Sequence, residues 1–171
     1  MLLFLKKYIK KITLSVLLLI CWEIKSQRTL TVDGTNWLLN IPVITEAGNN
    51  YAGTYESAAN EILLTATVPL LLGSGKVSIH YEANPLWNSS LVLNARRTGN
   101  GTTSCAACTI TGGTNYTIVP LATDVELFRI TAVLALASYT NIPVQLQLTG
   151  VSVTIPAATY SSRIVFTISA L

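Results

Sequence analysis

The sequence predicts an all-β protein, a single antiparallel sandwich carried behind an N-terminal export signal. Three observations predict it. Half of the 171 residues are apolar and only 11% are charged, which supplies a core and rules out a disordered chain. Past residue 26, short apolar or β-branched stretches alternate with Gly, Asn, Ser and Pro clusters, and no helical spacing is sustained. Residues 1–26 are unlike the rest: four lysines lie within Met1–Lys11, followed by the apolar run Ile12–Trp22.

That run is the pattern of a secretory signal, a basic start and then an apolar stretch of roughly 7–15 residues. A spanning helix needs about 20 apolar residues, so the segment reads as a signal peptide over 1–26. Small Ser26 marks the cleavage point, and Gln27 begins a single mature domain, 27–171. Cys21 follows bulky Ile20, where a lipid-attachment site wants a small residue.

The strands follow in order. Arg28–Val32 is the first, closed by Asp33-Gly34. Trp37–Ile44 is the second, with Pro42 marking an edge or a bend. A Gly/Asn/Tyr-rich link, Ala47–Ser57, leads to Glu61–Val68, and Gly73-Ser74-Gly75 turns the chain into Lys76–Glu82. In that strand Val77, Ile79 and Tyr81 alternate with Ser78, His80 and Glu82, one face buried and one wet. Leu91–Ala95 alternates likewise. Thr98–Thr114 is a polar loop containing Asn100-Gly101 and Gly112-Gly113. Tyr116–Pro120 is a short strand. Val125–Leu136 is longer, and its alternation slips near Leu127-Phe128 as at a bulge, although its Ala and Leu content also suits a helix. Val144–Ile155 changes phase at Gly150, a second expected bulge, and Pro156-Ala157-Ala158 turns the chain into Ser162–Ile168. Seven to nine strands of this kind pack as an antiparallel immunoglobulin-like β-sandwich.

Charge narrows the partners. Five of the six lysines lie in residues 1–26, and the mature chain holds six bases against seven acids, a net of −1. No basic field is left for a phosphate backbone, so nucleic acid is not an expected partner, and the membrane enters only through the export signal.

The C-terminal stretch Leu148–Ser169, a strand, a small-residue turn, the Thr159-Tyr160 pair and an alternating last strand, resembles the closing hairpin of spore coat protein U-type and fimbrial secreted domains. The chain is also similar to uncharacterised bacterial secreted β-sandwich proteins in its segments Trp87–Leu91, Arg96–Gly101 and Gly112–Tyr116. The resemblance implies a surface-fibre or coat role.

The motifs point away from catalysis. Cys105-Ala106-Ala107-Cys108 has the spacing of a zinc half-site, but the mature chain has no further cysteine and one histidine, His80. Thr109–Gly113 does not read as the helix that a thioredoxin-like centre opens. In an oxidising compartment Cys105 and Cys108 are expected to form a structural disulfide. His80 shares a strand face with Ser78 and Glu82, yet alternate strand residues lie about 7 Å apart, and it reads as a solvated surface histidine. The acid pairs Asp124/Glu126 and Glu56/Glu61 give no reason to place a glycosidase centre, and no Asp-x-Asp run supplies a calcium loop. Arg96-Arg97 reads as a solvated strand end. Trp37 reads as core, whereas Trp87, in a loop-like stretch after Pro85, and Tyr116 are the candidate ligand contacts. Three sequons begin at Asn88, Asn100 and Asn115, and matter only in a host that glycosylates.

The expected function is an exported, secreted or cell-surface, non-catalytic structural or adhesive protein: a fibre, coat or matrix subunit whose partners are other such subunits. The alternative is an extracellular module that binds carbohydrate (a glycan) or another surface. Neither an enzymatic activity nor a cofactor is expected, and no metal site.

Overall fold

The computed structural model describes residues 27–69, 73–132 and 137–171; the export segment expected over 1–26 lies outside them. Among the described residues eleven strands form: β1 (Thr29–Gly34), β2 (Thr54–Glu56), β3 (Ile62–Val68), β4 (Ser74–Ala83), β5 (Val92–Arg97), β6 (Thr102–Thr103), β7 (Thr109–Thr111), β8 (Thr117–Ile118), β9 (Val125–Thr131), β10 (Ala137–Thr149) and β11 (Ser162–Ser169). They make two antiparallel sheets, one of seven strands and one of four. No helix occurs among the described residues.

The larger sheet is organised on β10, 13 residues long. One edge of β10 pairs with β3 over Ala137–Val144 and then with β2 over Gln147–Thr149. Its other edge pairs with β6 at Tyr139 and Thr140 and with β5 over Val144–Thr149. β1 lies outside β3, and β8 outside β5. The smaller sheet runs β11-β4-β9-β7.

Period-2 alternation fills the space between the sheets. Ile62, Leu64, Ala66 and Val68 of β3, Leu93 and Ala95 of β5, and Val144, Leu146 and Leu148 of β10 meet Val77, Ile79, Phe128 and Ile130 of the smaller sheet in one buried cluster. Each such large side chain contributes about 1.5–3 kcal/mol of burial. Ile164, Phe166 and Ile168 of β11 pack against this cluster half-buried, so the C-terminal strand completes the chain's own sheet.

The bulge expected near Leu127-Phe128 is present. Val77 pairs with Phe128 and Ser78 with Glu126, which leaves Leu127 as the extra residue, and Leu127 and Phe128 are both buried. The second bulge is not at Gly150. It lies between Tyr139 and Ile142, where Asn141 takes a φ of 55°. Gly150 instead ends β10 at a φ of 83°, and a Cβ there would stand 2.1 Å from the Ser90 carbonyl oxygen. Only glycine fits that approach.

Other expectations are corrected. Trp37–Ile44 is not a strand: Trp37 and Leu39 pack on the core while Leu38 is 89% exposed, so its alternation is satisfied by packing without a ladder. Val151–Ile155 is likewise not a strand, because the Gly150 turn leads the chain away from its partners. Asp33-Gly34 continues β1 instead of closing it, since both residues pair with β3. The loop at 98–114 holds β6, which joins the larger sheet, and β7, which joins the smaller one; the polar excursion thus laces the two sheets together.

Candidate functional site

β5 ends in two adjacent arginines, and strand alternation sends them to opposite faces. Arg97 follows the inward phase of Leu93 and Ala95 and is 5% exposed, so the solvated end expected of this pair is corrected. A buried cation is held only where its N–H groups find acceptors. Here Nε and Nη2 donate to the Gly112 carbonyl at 3.1 and 2.9 Å, and Nη1 donates to the Gly99 carbonyl at 2.9 Å and to Asn100 Oδ1. The guanidinium also stands 6.0 Å from the centre of the Phe128 ring. Gly112 and Gly113 make this cradle: both take positive φ, and a Cβ on Gly113 would stand 2.5 Å from the Leu127 carbonyl oxygen. Burial pulls the Arg97 pKa below the usual arginine value.

Arg96 points to the outer face of the larger sheet. Its guanidinium lies 4.6 Å from the centroid of Tyr116, a cation–π stack, and its Nε donates to Gln145 Oε1 at 3.0 Å. Gln145 in turn donates to the Ser57 carbonyl at 2.9 Å, and Gln147 donates to Glu56 at 2.9 Å. Desolvation raises the Tyr116 phenol above its ordinary pKa, and the nearby Glu56 carboxylate adds to the rise. The Tyr116 hydroxyl oxygen is buried without a hydrogen bond of normal geometry. Three ion pairs form among the described residues, His80–Asp124, Arg129–Glu126 and Arg163–Glu82, and neither Arg96 nor Arg97 belongs to them. A cavity of about 250 Å³ opens at this end of β5, lined by Arg96, Arg97, Thr98 and Thr114.

The two candidate ligand contacts are not brought together. Tyr116 stacks on Arg96 at the C-terminal end of β5. Trp87 precedes the other end, packed against Tyr81 with ring centres 5.6 Å apart and its indole nitrogen buried without a partner. Sequence reasoning missed Arg97, one of whose acceptors, the Gly112 carbonyl, lies 15 residues further along the chain, while Gly99 and Asn100 are local. The Gly112-Gly113 pair was the available signal, because a buried donor needs exposed carbonyls and two glycines supply them.

Cys105 and Cys108 form a disulfide with Cα atoms 5.4 Å apart, in the turn between β6 and β7. His80 differs from the solvated histidine expected. It is half-buried, and its Nδ1 lies 2.7 Å from Asp124 Oδ1, while Thr167 donates to Asp124 Oδ2 at 2.6 Å. The threonine hydroxyl serves the carboxylate and not the imidazole, so the trio has no nucleophile–base geometry. Ser78, expected on the wet face, is buried. Of the acid pairs, Glu126 is engaged by Arg129 and Glu56 by Gln147. Among the described residues no group of three or more His, Cys, Asp or Glu side chains has the arrangement of a metal site. Comparison of the chain with family models, curated proteins and solved structures finds no match to any of them.

Proposed function

We propose that the protein is an exported structural or adhesive subunit of a surface fibre, coat or matrix, without catalytic activity. The observation that carries this reading is the state of the sheet edges. β11, eight residues long, pairs with β4 on one side, and β1 pairs with β3 on one side; the two strands lie beside each other where the sheets meet, yet among the described residues neither outer edge carries a ladder. Soluble proteins protect long edges with charge, proline or a covering segment, because an open edge templates association. Val32 is 51% exposed on β1, and Leu38 and Val43, just beyond it, are 89% and 84% exposed. A chain that works by lateral association uses such features, and the sequence likeness of Leu148–Ser169 to coat and fimbrial domains supports the same reading, although β10 and β11 lie in different sheets and do not pair as a hairpin.

The test is size-exclusion chromatography with negative-stain microscopy of protein recovered from the producing cell. Concentration-dependent oligomers or ordered assemblies are expected, and Leu38→Lys with Val43→Lys should shift them towards monomer. A wild-type protein that stays monomeric at the highest attainable concentration overturns the reading. A second reading, a module that binds carbohydrate, is favoured by the Arg96–Tyr116 stack and its cavity.

A further inference from the structure

We infer that Asn100 is a self-modification site: its side-chain amide is hydrolysed to a carboxylate, which then pairs with the buried guanidinium of Arg97. The inference is independent of both the fibre and the carbohydrate readings above.

The reacting groups are neighbours in sequence and in space. Of the asparagines in the chain only Asn100 is followed by glycine. The next backbone nitrogen is the nucleophile in this chemistry, and a residue without a Cβ leaves it open to close approach. The Gly101 N–H donates none of the backbone hydrogen bonds that the loops make among the described residues. The electrophile is oriented from the other side. Arg97 Nη1 donates to Asn100 Oδ1, so a fixed cation polarises the amide carbonyl where negative charge develops during attack. Asn100 is exposed, which admits water.

The chemistry balances with water as the only co-reactant. The Gly101 nitrogen forms a bond to Asn100 Cγ and gives up its proton; the Cγ–Nδ2 bond breaks, and the amide nitrogen leaves as ammonia with that proton. A cyclic imide remains. Water adding at Cγ reopens the bond to the Gly101 nitrogen, which takes a proton back, and leaves an ordinary aspartate. Water adding at the main-chain carbonyl carbon would instead route the backbone through Cγ and lengthen it.

What favours the product is a missing counter-ion. Arg97 is buried, its acceptors are the Gly112 and Gly99 carbonyls and the Asn100 amide oxygen, and none of the ion pairs among the described residues includes it. A buried charge is costly until it is paired. A carboxylate in place of the amide makes the bond to Nη1 charge-assisted on both sides, the stronger kind. The fold also selects the isomer. Gly101 lies so close to the backbone of Thr140 that even a Cβ there would collide with the Thr140 carbonyl oxygen, so a lengthened chain before Gly101 does not fit. The new ion pair would sit at the root of the excursion that carries β6 and β7.

The test incubates freshly purified protein at mildly alkaline pH, folded and in urea, and follows by mass spectrometry the tryptic peptide that begins at Thr98. In the folded protein, amide-to-acid conversion should appear at Asn100 with ordinary aspartate as the main product, whereas the unfolded chain should give a mixture with the lengthened isomer. Asn100→Gln should stop the conversion. Asn100→Asp, which presets the product, should melt about 2–4 °C above unconverted wild type, the shift of one added interaction in a domain of this size. A folded protein in which Asn100 stays an amide overturns the inference, as does one that gives the isomer mixture of the unfolded chain. An Asn100→Asp variant that melts no higher than wild type removes the pairing with Arg97 and overturns it equally.

Discussion

Asp124 joins three strands of the smaller sheet through two contacts. It immediately precedes β9, pairs with His80 of β4 and accepts from Thr167 of β11. The Thr167 hydroxyl, followed by His80, holds its carboxyl below the usual carboxylate range. A carboxyl depressed in the folded state stabilises fully above its unfolded value, and that stability is lost as pH falls through the folded value. Glu126 behaves in the same sense because of Arg129. Both sit at the surface, so solvent screening keeps each effect small. Asp124→Asn should therefore lower stability slightly near neutral pH, where the charged carboxylate contributes, and leave it little changed at low pH, where the wild-type carboxyl is protonated. The urea midpoint, followed from neutral pH down to about 2, should fall less steeply in the variant, with Glu126 supplying the remaining slope. An unchanged slope would show that the Thr167 and His80 contacts do not survive in solution.

Among the elements, the excursion through β6 and β7 is the one that ties the sheets, and the Cys105–Cys108 bond sits at its tip. A loop closed over so few residues removes little freedom from the unfolded chain, about 2 kcal/mol at most. Replacing both cysteines with serine should lower the melting temperature by no more than about 4–8 °C and leave the fold cooperative by circular dichroism. A larger loss would mean that the bond fixes the crossing between sheets and does more than shorten the unfolded chain. β3, β4 and β11 were legible in the sequence because one face of each is buried, which forces alternation. The β9 bulge was legible because Leu127 and Phe128 are neighbours that both need burial. Trp37–Ile44 misled for the same reason, since alternation reports burial and is silent about hydrogen bonding. β2, β6 and β7 were not legible, because strands of two or three residues owe their existence to the partner strand. At the site, Tyr116 could be nominated as an aromatic in a loop, but its stacking on Arg96 and the burial of Arg97 depend on contacts made across the fold.

At the scale of the whole molecule, the larger sheet depends on one late segment. β10 is the shared partner of β2, β3, β5 and β6, and it begins at Ala137 in a chain of 171 residues. Before it is made, only the β1–β3 and β5–β8 pairs of that sheet can form, and isolated two-stranded pairs are marginal in water. A chain ending at residue 136 should show no cooperative thermal transition by circular dichroism, whereas the full chain should show one; a cooperative melt of the shortened chain would mean that β4, β7 and β9 fold without β10 and β11. Non-local pairing of this kind is also slow to nucleate. Synthesis runs from the N-terminus at about 5–20 residues per second, so most of the polypeptide leaves the ribosome before its central strand exists. For the exported protein proposed above, which would cross a membrane as an extended thread, such lateness acts as a timer: the order of the strands along the gene keeps the chain threadable until its passage is nearly done.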